Sequence, residues 1–288
     1  MRPRTRAPSN PCAAANASAV NITAPSPSVL YDSLLLTHGR RTARAYLLLH
    51  GLTASPLQFE TFGRLLFAAG SNVWIPRLPR HGHADRLTTE LQYLTASELR
   101  GFARDALTRA RELADDVVVV GFSTGGLLSA WLAHHQSVAR SVSIAPLLGV
   151  AWLPRPLTGL AARVALRTPN RFVWWDPILR EQLGPAHGYP RFATHAVAQA
   201  VTLARELLAD AKRTAPRTHD LRIVLNARET TVNNAAAGRL AALWSHGRTN
   251  VTVRHLRGLP PSHDIIEPLR RGSLAAEVYP TLFDVVAS

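Results

Sequence analysis

A run of four valines constrains the fold of this chain more than any other feature. The valines occupy 117–120, follow Asp116 and end directly at Gly121. Consecutive apolar, β-branched residues of this kind favour a strand that is buried on both of its faces. Such strands are typical of parallel sheets, whose two faces are covered by helices. The run therefore predicts an α/β domain.

Strand and helix patterns alternate along most of the remaining sequence. Short apolar runs predict further strands at 33–37, 45–49, 72–76, 141–145, 221–225 and 251–253. Helical spacing predicts helices at 57–69, 97–113, 127–134, 234–245 and 274–286. A turn at 38–42 predicts that the first two strands form a hairpin. The alternation predicts a mostly parallel, doubly wound α/β sheet.

The segment 147–219 interrupts this alternation. It has no clear strand pattern and combines several prolines with aromatic residues, among them Trp152, Phe172, Tyr189 and Phe192. A stretch of about 70 residues is too long for a plain loop inside a compact domain. We therefore predict a helical cap that is inserted between late strands of an α/β domain at 29–288.

Residues 1–28 are rich in proline, alanine, serine and asparagine. They show no apolar periodicity and lack the apolar core of about 7–15 residues that a secretory signal requires, so we predict a disordered leader. No stretch approaches the roughly 20 apolar residues of a membrane span. Cys12 is the only cysteine, which suits a reducing compartment. We expect a cytoplasmic protein, although the leader leaves export open.

The formal net charge of +14 raises the question of a nucleic-acid partner. The positive charge is almost entirely arginine, since Lys212 is the only lysine, and no basic run exceeds the pairs at 40–41 and 270–271. A nucleic-acid module typically has a basic stripe interleaved with aromatic residues. The scattered arginines therefore predict no specific nucleic-acid site, and the sequence leaves the oligomeric state open.

The strongest chemical signal is Gly-Phe-Ser-Thr-Gly at 121–125, which fits the pattern Gly-x-Ser-x-Gly. It follows the valine strand and precedes small residues that favour the start of a helix. A nucleophilic serine must stand at a sharp turn above the sheet, and flanking glycines make room for that strained backbone. The helix N-terminus favours the negative charge that develops when a carbonyl is attacked. This context predicts Ser123 as a nucleophile.

A nucleophile of this kind needs two backbone N–H groups that stabilise an oxyanion. Leu-His-Gly-Leu at 49–52 lies at the end of an earlier strand, where one donor is expected, and the residue after the serine supplies the other. This assigns the amides of Leu52 and Thr124. His50 is predicted to be structural, because the general base comes last in this chain order.

The candidate general base is His263, beyond the last predicted strand, since His255 lies on that strand. The acid must follow Ser123, precede His263 and lie at the end of the preceding strand. Glu229 is the only carboxylate in that place. Four others are excluded by position, either at the wrong strand end, inside the insertion or too late in the chain: Asp220, Asp210, Asp264 and Glu267.

These motifs make the chain resemble the α/β-hydrolase superfamily, and within it the carboxylesterase and monoacylglycerol-lipase-like branch. The resemblance extends from about residue 34 to the C-terminus and rests on segments 48–51, 76–83, 121–125 and 262–264. The order serine, carboxylate, histidine is that of the superfamily. The resemblance implies a helical cap where the insertion lies. Relatives usually carry Asp at the acid position, where this chain has Glu229.

Two other groups of residues were considered as binding sites, one for a metal and one for substrate. His81, His83 and Asp85 form a loose His-x-His-x-Asp pattern without a further ligand cluster, so we predict no metal site and assign the loop to the border of a pocket. Trp174 and Trp175 are candidates for binding substrate, and packing within the cap is the alternative.

The sequence thus predicts a serine hydrolase that cleaves a small-molecule carboxylic ester through an acyl-enzyme, without a cofactor. Two alternatives remain open. Because one fold can host many chemistries, the bond cleaved could instead be an amide, a peptide or a C–C bond. The chain could also be an inactive, ligand-binding homologue that has kept the fold.

Overall fold

A computed structural model describes residues 30–182, 184–245 and 249–288 of the 288-residue chain. The leader predicted at 1–28 lies outside the described residues. The described part forms a central sheet of seven strands and a separate two-stranded sheet. Helices cover the central sheet, which confirms the predicted α/β class.

The elements are numbered in chain order. The strands are β1 (Leu34–Leu36), β2 (Thr42–Leu49), β3 (Asn72–Ile75), β4 (Ala114–Phe122), β5 (Arg140–Ile144), β6 (Phe172–Trp174), β7 (Arg191–Ala193), β8 (Asp220–Asn226) and β9 (Asn250–Leu256). The helices are α1 (Glu60–Ala68), α2 (Ala96–Arg111), α3 (Thr124–His135), α4 (Arg155–Ala165), α5 (Thr194–Asp210), α6 (Asn234–Trp244) and α7 (Ala275–Ala287). Within the described residues, none of the helices has the length and apolar character needed to cross a bilayer.

The central sheet is mostly parallel, as the valine run predicted. Its strand order is β1-β3-β2-β4-β5-β8-β9. β1 is antiparallel to β3, and every other neighbouring pair is parallel. Parallel strands point the same way, so the loops that follow β2, β4, β8 and β9 lie along one edge of the sheet. Ligands of open α/β sheets bind beyond this carboxyl edge.

The predicted hairpin between the first two strands is wrong. β1 pairs with β3, with Leu34 opposite Ile75, and β3 lies between β1 and β2. β2 has β3 on one side and β4 on the other, so neither of its edges is free for β1. The turn at 38–42 therefore joins two strands that are not neighbours.

The core lies around β4 in the middle of the sheet. The four valines at 117–120 are each at most 4% exposed. α3, which follows β4 directly, is buried from Thr124 to His134. A strand and a helix that are covered on every side need no polar face, which is why their sequences show an unbroken apolar run and a weak helical period.

The insertion between β5 and β8 forms α4, the β6–β7 pair and α5, which confirms a largely helical cap between late strands. The two short strands were not expected; they pair antiparallel, with Phe172 opposite Ala193. Strands of three residues are too short to show a two-residue period. α4 packs on α5, and α5 in turn contacts α2 and α3 of the main domain. The boundaries at 147 and 219 stay a prediction.

Candidate active site

Ser123 stands at the sharp turn between β4 and α3. Its φ is +54°, a region that residues other than glycine rarely adopt. Neighbouring backbone holds it there: the Ser123 N–H donates to Ile144 O at 2.9 Å, and the Ser123 carbonyl accepts N–H groups from Leu127 at 2.9 Å and Leu147 at 3.0 Å. These bonds to β5 and to the start of the insertion offset the strain of the turn.

The two glycines of the motif allow the backbone to pass close to itself. A Cβ on Gly121 would lie 1.9 Å from the Gly125 carbonyl oxygen. A Cβ on Gly125 would lie 1.8 Å from the carbonyl oxygen of Leu49 in β2. Both neighbours are backbone atoms, so they cannot move aside without moving a strand or the start of α3. Any side chain at these two positions is therefore excluded by the turn.

We expect Gly125→Ala to lower the free energy of unfolding by about 3 kcal/mol or more, because the added methyl overlaps the Leu49 carbonyl group. Gly101→Ala is the matched control. A Cβ on Gly101, in the middle of α2, meets nothing within 4 Å, and alanine in a helix is about 1 kcal/mol more favourable than glycine. Thermal denaturation of the two variants measures the difference. Equal melting temperatures would contradict the close approach at Gly125.

Three predicted side chains from three loops form one chain of hydrogen bonds. The Nε2 atom of His263 lies 2.8 Å from the Oγ atom of Ser123, and its Nδ1 atom lies 2.9 Å from Oε2 of Glu229. The serine follows β4, the glutamate follows β8 and the histidine follows β9. The shared carboxyl edge of the parallel sheet thus brings the three residues together. Distances of this size suit a nucleophile, its base and a group that orients the base.

The Glu229 carboxylate is held by the turn that contains it. Its side chain is 0% exposed, and Oε1 accepts backbone N–H groups from Thr230 at 2.9 Å and Thr231 at 2.7 Å. Burial opposes ionisation, but the hydrogen bonds from His263 and from the backbone lower the pKa of Glu229 overall. The group is therefore an anion at neutral pH. An anionic acceptor keeps the proton of His263 on Nδ1 and leaves Nε2 free to accept from the serine.

Asp264, which directly follows His263, faces away from the imidazole. Its Oδ1 atom accepts the N–H groups of Ile266 at 3.3 Å and Glu267 at 3.1 Å. Its Oδ2 atom accepts from Nε2 of Gln58 at 3.1 Å. The carboxylate that contacts His263 is therefore that of Glu229.

The two predicted oxyanion donors lie on the segments that border Ser123. Thr124 is the first residue of α3, so its N–H is one of the helical amides that lack an intrahelical acceptor. Leu52 follows β2 and lines the same cavity as the serine. A Cβ on Gly51, next to Leu52, would lie 3.5 Å from the Cβ of Ser123. Among the described residues, neither the Leu52 nor the Thr124 amide has an acceptor.

Two buried histidines hold the loop after β2 in place. His50 accepts the N–H of Leu78 on Nε2 at 3.1 Å and donates from Nδ1 to the Gly51 carbonyl at 2.9 Å. His81 accepts the N–H of Thr53 on Nε2 at 3.3 Å. Burial lowers the pKa of both rings, that of His81 to about 4, so both are neutral at physiological pH. These contacts agree with the structural role predicted for His50.

The loop with the loose His-x-His-x-Asp pattern makes internal contacts. His81 also bonds the Pro79 carbonyl at 2.8 Å, and Asp85 accepts the Leu87 N–H at 2.8 Å. In the described part of the chain, no group of three or more His, Cys, Asp or Glu side chains is arranged to hold a metal ion. The His81 ring stacks on Tyr189, a residue of the cavity wall, so this loop lies behind the wall.

A cavity of about 430 Å³ opens onto Ser123 and His263. Residues of the insertion supply much of its apolar wall: Val150, Trp152, Trp175, Phe192 and Val197. Polar residues form another part of the wall: Gln58, His187, Asp264, Glu267 and Arg270. The cavity therefore offers both an apolar and a polar surface close to the serine.

The structure separates the two tryptophans that were predicted to bind substrate. Trp175 lines the cavity; its ring packs on Phe192 at a centroid distance of 4.5 Å, and its Nε1 donates to Thr53 Oγ1 at 2.9 Å. Trp174 is not among the lining residues, and its ring lies 5.8 Å from the guanidinium of Arg191. Trp174 is the last residue of β6, and Trp175 directly follows it, with its N–H donating to the Pro190 carbonyl at 3.0 Å. Successive side chains of such an extended segment point to opposite sides, which explains the difference. We keep the prediction of substrate contact for Trp175.

Some contacts in the cavity wall carried no signal in the sequence. Gln58 and Asp264 bond to each other across 206 positions of the chain. His187 lies in the insertion and bonds Ser55 at 3.0 Å and Glu267 at 3.3 Å. These contacts join distant segments, and no local spacing rule describes such pairs. Trp152, which also lines the cavity, was noted only as one of several aromatic residues.

We compared the sequence and the fold with those of known proteins. The family model described as the alpha/beta hydrolase family matches residues 46–267. No curated protein matches the sequence. Among solved structures, the monoacylglycerol lipase of Paleococcus ferrophilus is similar with a TM-score of 0.66 and 17% identity, over 89% of this chain and 99% of that one.

Two further structures share the fold. A soluble variant of monoglyceride lipase from Saccharomyces cerevisiae has a TM-score of 0.65 and 12% identity, covering 88% of this chain and 90% of that one. A structure from work on LipS and LipT, two metagenome-derived lipolytic enzymes, has a TM-score of 0.59 and 20% identity, covering 79% of this chain and 88% of that one. The family match spans more than half of the sequence, and the sheet and serine turn agree with it. The chain therefore belongs to the α/β-hydrolase family.

Proposed function

We propose that this protein is a serine hydrolase that cleaves a carboxylic ester. In this proposal Ser123 is the nucleophile, His263 the general base and Glu229 the acid of the triad. The observation that carries it is the chain of hydrogen bonds from Glu229 through His263 to Ser123, at 2.9 and 2.8 Å. The positive φ of Ser123 supports it further, because strained serines at strand-to-helix turns present their hydroxyl for chemistry.

Acylation begins when Nε2 of His263 takes the proton of Ser123 Oγ, which attacks the carbonyl carbon of the ester. Glu229 stabilises the imidazolium that forms. The carbonyl oxygen becomes an oxyanion and accepts hydrogen bonds from the amides of Leu52 and Thr124. The imidazolium then gives its proton to the oxygen of the leaving alcohol as the C–O bond breaks.

Deacylation uses the same groups with water in place of the serine. His263 takes a proton from a water molecule, whose oxygen attacks the acyl carbon of the ester formed with Ser123. The two amides again stabilise the oxyanion. The bond to the serine oxygen breaks, His263 returns the proton to it, and the carboxylic acid leaves. No cofactor takes part in these steps.

Support for an ester rather than an amide comes from similar structures, and the cavity suits an apolar acyl group. Its wall is largely apolar on the side of the insertion, which suits an acyl chain or another apolar group. Similar structures include proteins named as monoacylglycerol and monoglyceride lipases, which act on esters.

A panel of p-nitrophenyl esters, assayed beside amino-acid anilides, tests the proposal. Faster cleavage of anilides would favour an amide hydrolase. Absence of turnover and of fluorophosphonate labelling would favour a ligand-binding homologue.

We expect Trp175→Ala to shift the preferred acyl length upward. The indole forms part of the cavity wall, so its removal makes space for a longer chain, and each methylene is worth about 1–3 kcal/mol in discrimination. The kcat/KM values for acetyl to octanoyl p-nitrophenyl esters measure the shift, and acetyl ester hydrolysis should change less. Trp174→Ala is the matched control, because this ring lies by Arg191. The same profile in both variants would contradict the assignment of Trp175.

A further inference from the structure

Gln58 connects two loops of the candidate site. It lies in a short helical turn, Pro56–Phe59, and is 1% exposed. Its Oε1 atom accepts the Gly51 N–H at 2.9 Å, and its Nε2 atom donates to Oδ2 of Asp264 at 3.1 Å. Gly51 directly precedes Leu52, and Asp264 directly follows His263. One carboxamide therefore spans from the loop of an oxyanion donor to the loop of the base.

The orientation of this carboxamide is determined by its neighbours. The Gly51 N–H can only donate, so the oxygen of Gln58 must face it. The NH₂ group must then face Asp264. The other oxygen of Asp264 is occupied by the N–H groups of Ile266 and Glu267, which hold the carboxylate in its place. Both ends of the bridge are thus anchored to backbone.

The other hydrogen bonds near these two loops do not join them directly. His50 and His81 tie the loop after β2 to the segment 78–81, which does not carry the base. His187 contacts both sides through Ser55 and Glu267, but that route passes through the insertion. In the part of the chain that the structure describes, Gln58–Asp264 is the hydrogen bond that joins segments 50–58 and 260–267 directly.

We propose that Gln58 is a positioning residue, whose carboxamide sets the distance between the Leu52 amide and the imidazole of His263. This inference rests on the proposed function. The transition state of acyl transfer needs the oxyanion donor and the base in place at the same time. A displacement of about 1 Å between such groups can cost about 10²-fold in rate. Loss of the bridge should therefore lower kcat and change KM little.

The bridge has a donor–acceptor polarity that two substitutions can reverse. Gln58→Glu removes the donor and sets two carboxylates against each other. Asp264→Asn sets an NH₂ group against the NH₂ group of Gln58. In the double variant, the introduced carboxylate accepts both from Gly51 and from the introduced amide, so the bridge is restored with opposite polarity. The double variant also keeps an oxygen for the N–H groups of Ile266 and Glu267.

The test measures kcat and KM of the full chain for p-nitrophenyl acetate. The value of kcat is expressed per active site, counted by titration with a fluorophosphonate. All assays are run well below the melting temperature of each variant. We expect each single variant to lose about 10²-fold in kcat with KM nearly unchanged, and the double variant to regain about tenfold or more. A merely structural role would lower the melting temperature and leave kcat per titrated site unchanged. A double variant as slow as the slower single variant would overturn the proposal.

Two further variants keep the outcome unambiguous. Gln58→Met preserves length and burial without either hydrogen bond, and its kcat decides the matter if Gln58→Glu does not fold. Wild-type kcat in the folded Met variant would overturn the positioning role. Ser123→Ala is assayed in parallel. Retained ester cleavage in Ser123→Ala would reject the proposed function itself. If cleavage depends on Ser123 but the Gln58 variants keep the wild-type kcat, only the role of Gln58 is rejected.

Discussion

Ser123→Ala is expected to lower kcat for ester hydrolysis on the order of 10⁴-fold or more, with the fold intact. The hydroxyl is the atom that would attack the ester, and in the described structure its hydrogen bond is to Nε2 of His263, at 2.8 Å. The strained backbone of the turn is held by backbone bonds that alanine retains. The melting temperature should therefore change little. Steady-state kinetics and thermal denaturation of the purified variant measure both effects.

Ser129→Ala is the matched control for this prediction. Ser129 is a buried serine in α3 that bonds the Ser141 hydroxyl at 2.8 Å and the Val119 carbonyl at 3.1 Å. Removal of a buried hydroxyl leaves its partners unsatisfied, which costs about 1–3 kcal/mol of stability. We expect this variant to melt earlier and to keep its kcat. Near-normal turnover in Ser123→Ala would end the serine mechanism.

The second large effect is expected at Glu229. Glu229→Gln should lower kcat by about 10⁴-fold, as the corresponding change does in a chymotrypsin-like triad. The backbone N–H groups of residues 230 and 231 can only donate, so the amide oxygen must face them. The NH₂ group then faces Nδ1 of His263 and forces the imidazole proton onto Nε2. In that tautomer His263 cannot accept the proton of Ser123.

Glu229→Asp should retain much more activity than Glu229→Gln, because the charge is kept and only one methylene of reach is lost. Glu112→Gln serves as the surface control, since Glu112 is exposed and pairs with Arg109. All variants are compared under saturating ester. Wild-type turnover in Glu229→Gln would reject Glu229 as the acid.

The same series separates Glu229 from Asp264. Asp264→Asn is expected to lose about 10²-fold, through the displaced loop, and to be rescued by Gln58→Glu. No substitution at Gln58 should rescue Glu229→Gln, because that defect lies in the tautomer of His263. If Asp264→Asn abolished turnover and Glu229→Gln did not, Asp264 would take over the role of the acid.

Most of the fold was predictable from local patterns. The valine run at 117–120 predicted a central parallel strand, and β4 lies between β2 and β5. The strands and helices outside the insertion were found within a few residues, although β2, β4 and β9 are longer than predicted. Burial of a helix or strand on one face or on both determines the spacing of its apolar residues. Such elements can therefore be predicted without a structure. The short strands β6 and β7 are mostly only half-buried, so burial leaves little pattern in their sequences, and they were missed.

The candidate site was only partly predictable, for a related reason. Ser123, Glu229 and His263 were identified because each follows a strand, and parallel strands bring their carboxyl ends to one edge. The contacts of Gln58 depend instead on how two loops lie against each other across 206 positions. Whether Trp174 or Trp175 lines the cavity depends on how the end of β6 lies against the loop after β2, where Trp175 donates to Thr53. Neither fact is encoded by the spacing of neighbouring residues.

The sequence by itself therefore determined the class of the fold, the serine turn and the order of the three candidate residues along the chain. These follow from steric limits and burial, which act over a few neighbouring residues. The tertiary structure alone decided that β1 pairs with β3 and that Gln58 joins the two loops. In each case several strands or side chains are chemically able to form the hydrogen bonds that are observed. Packing of the whole chain makes that choice, because it determines which of them meet.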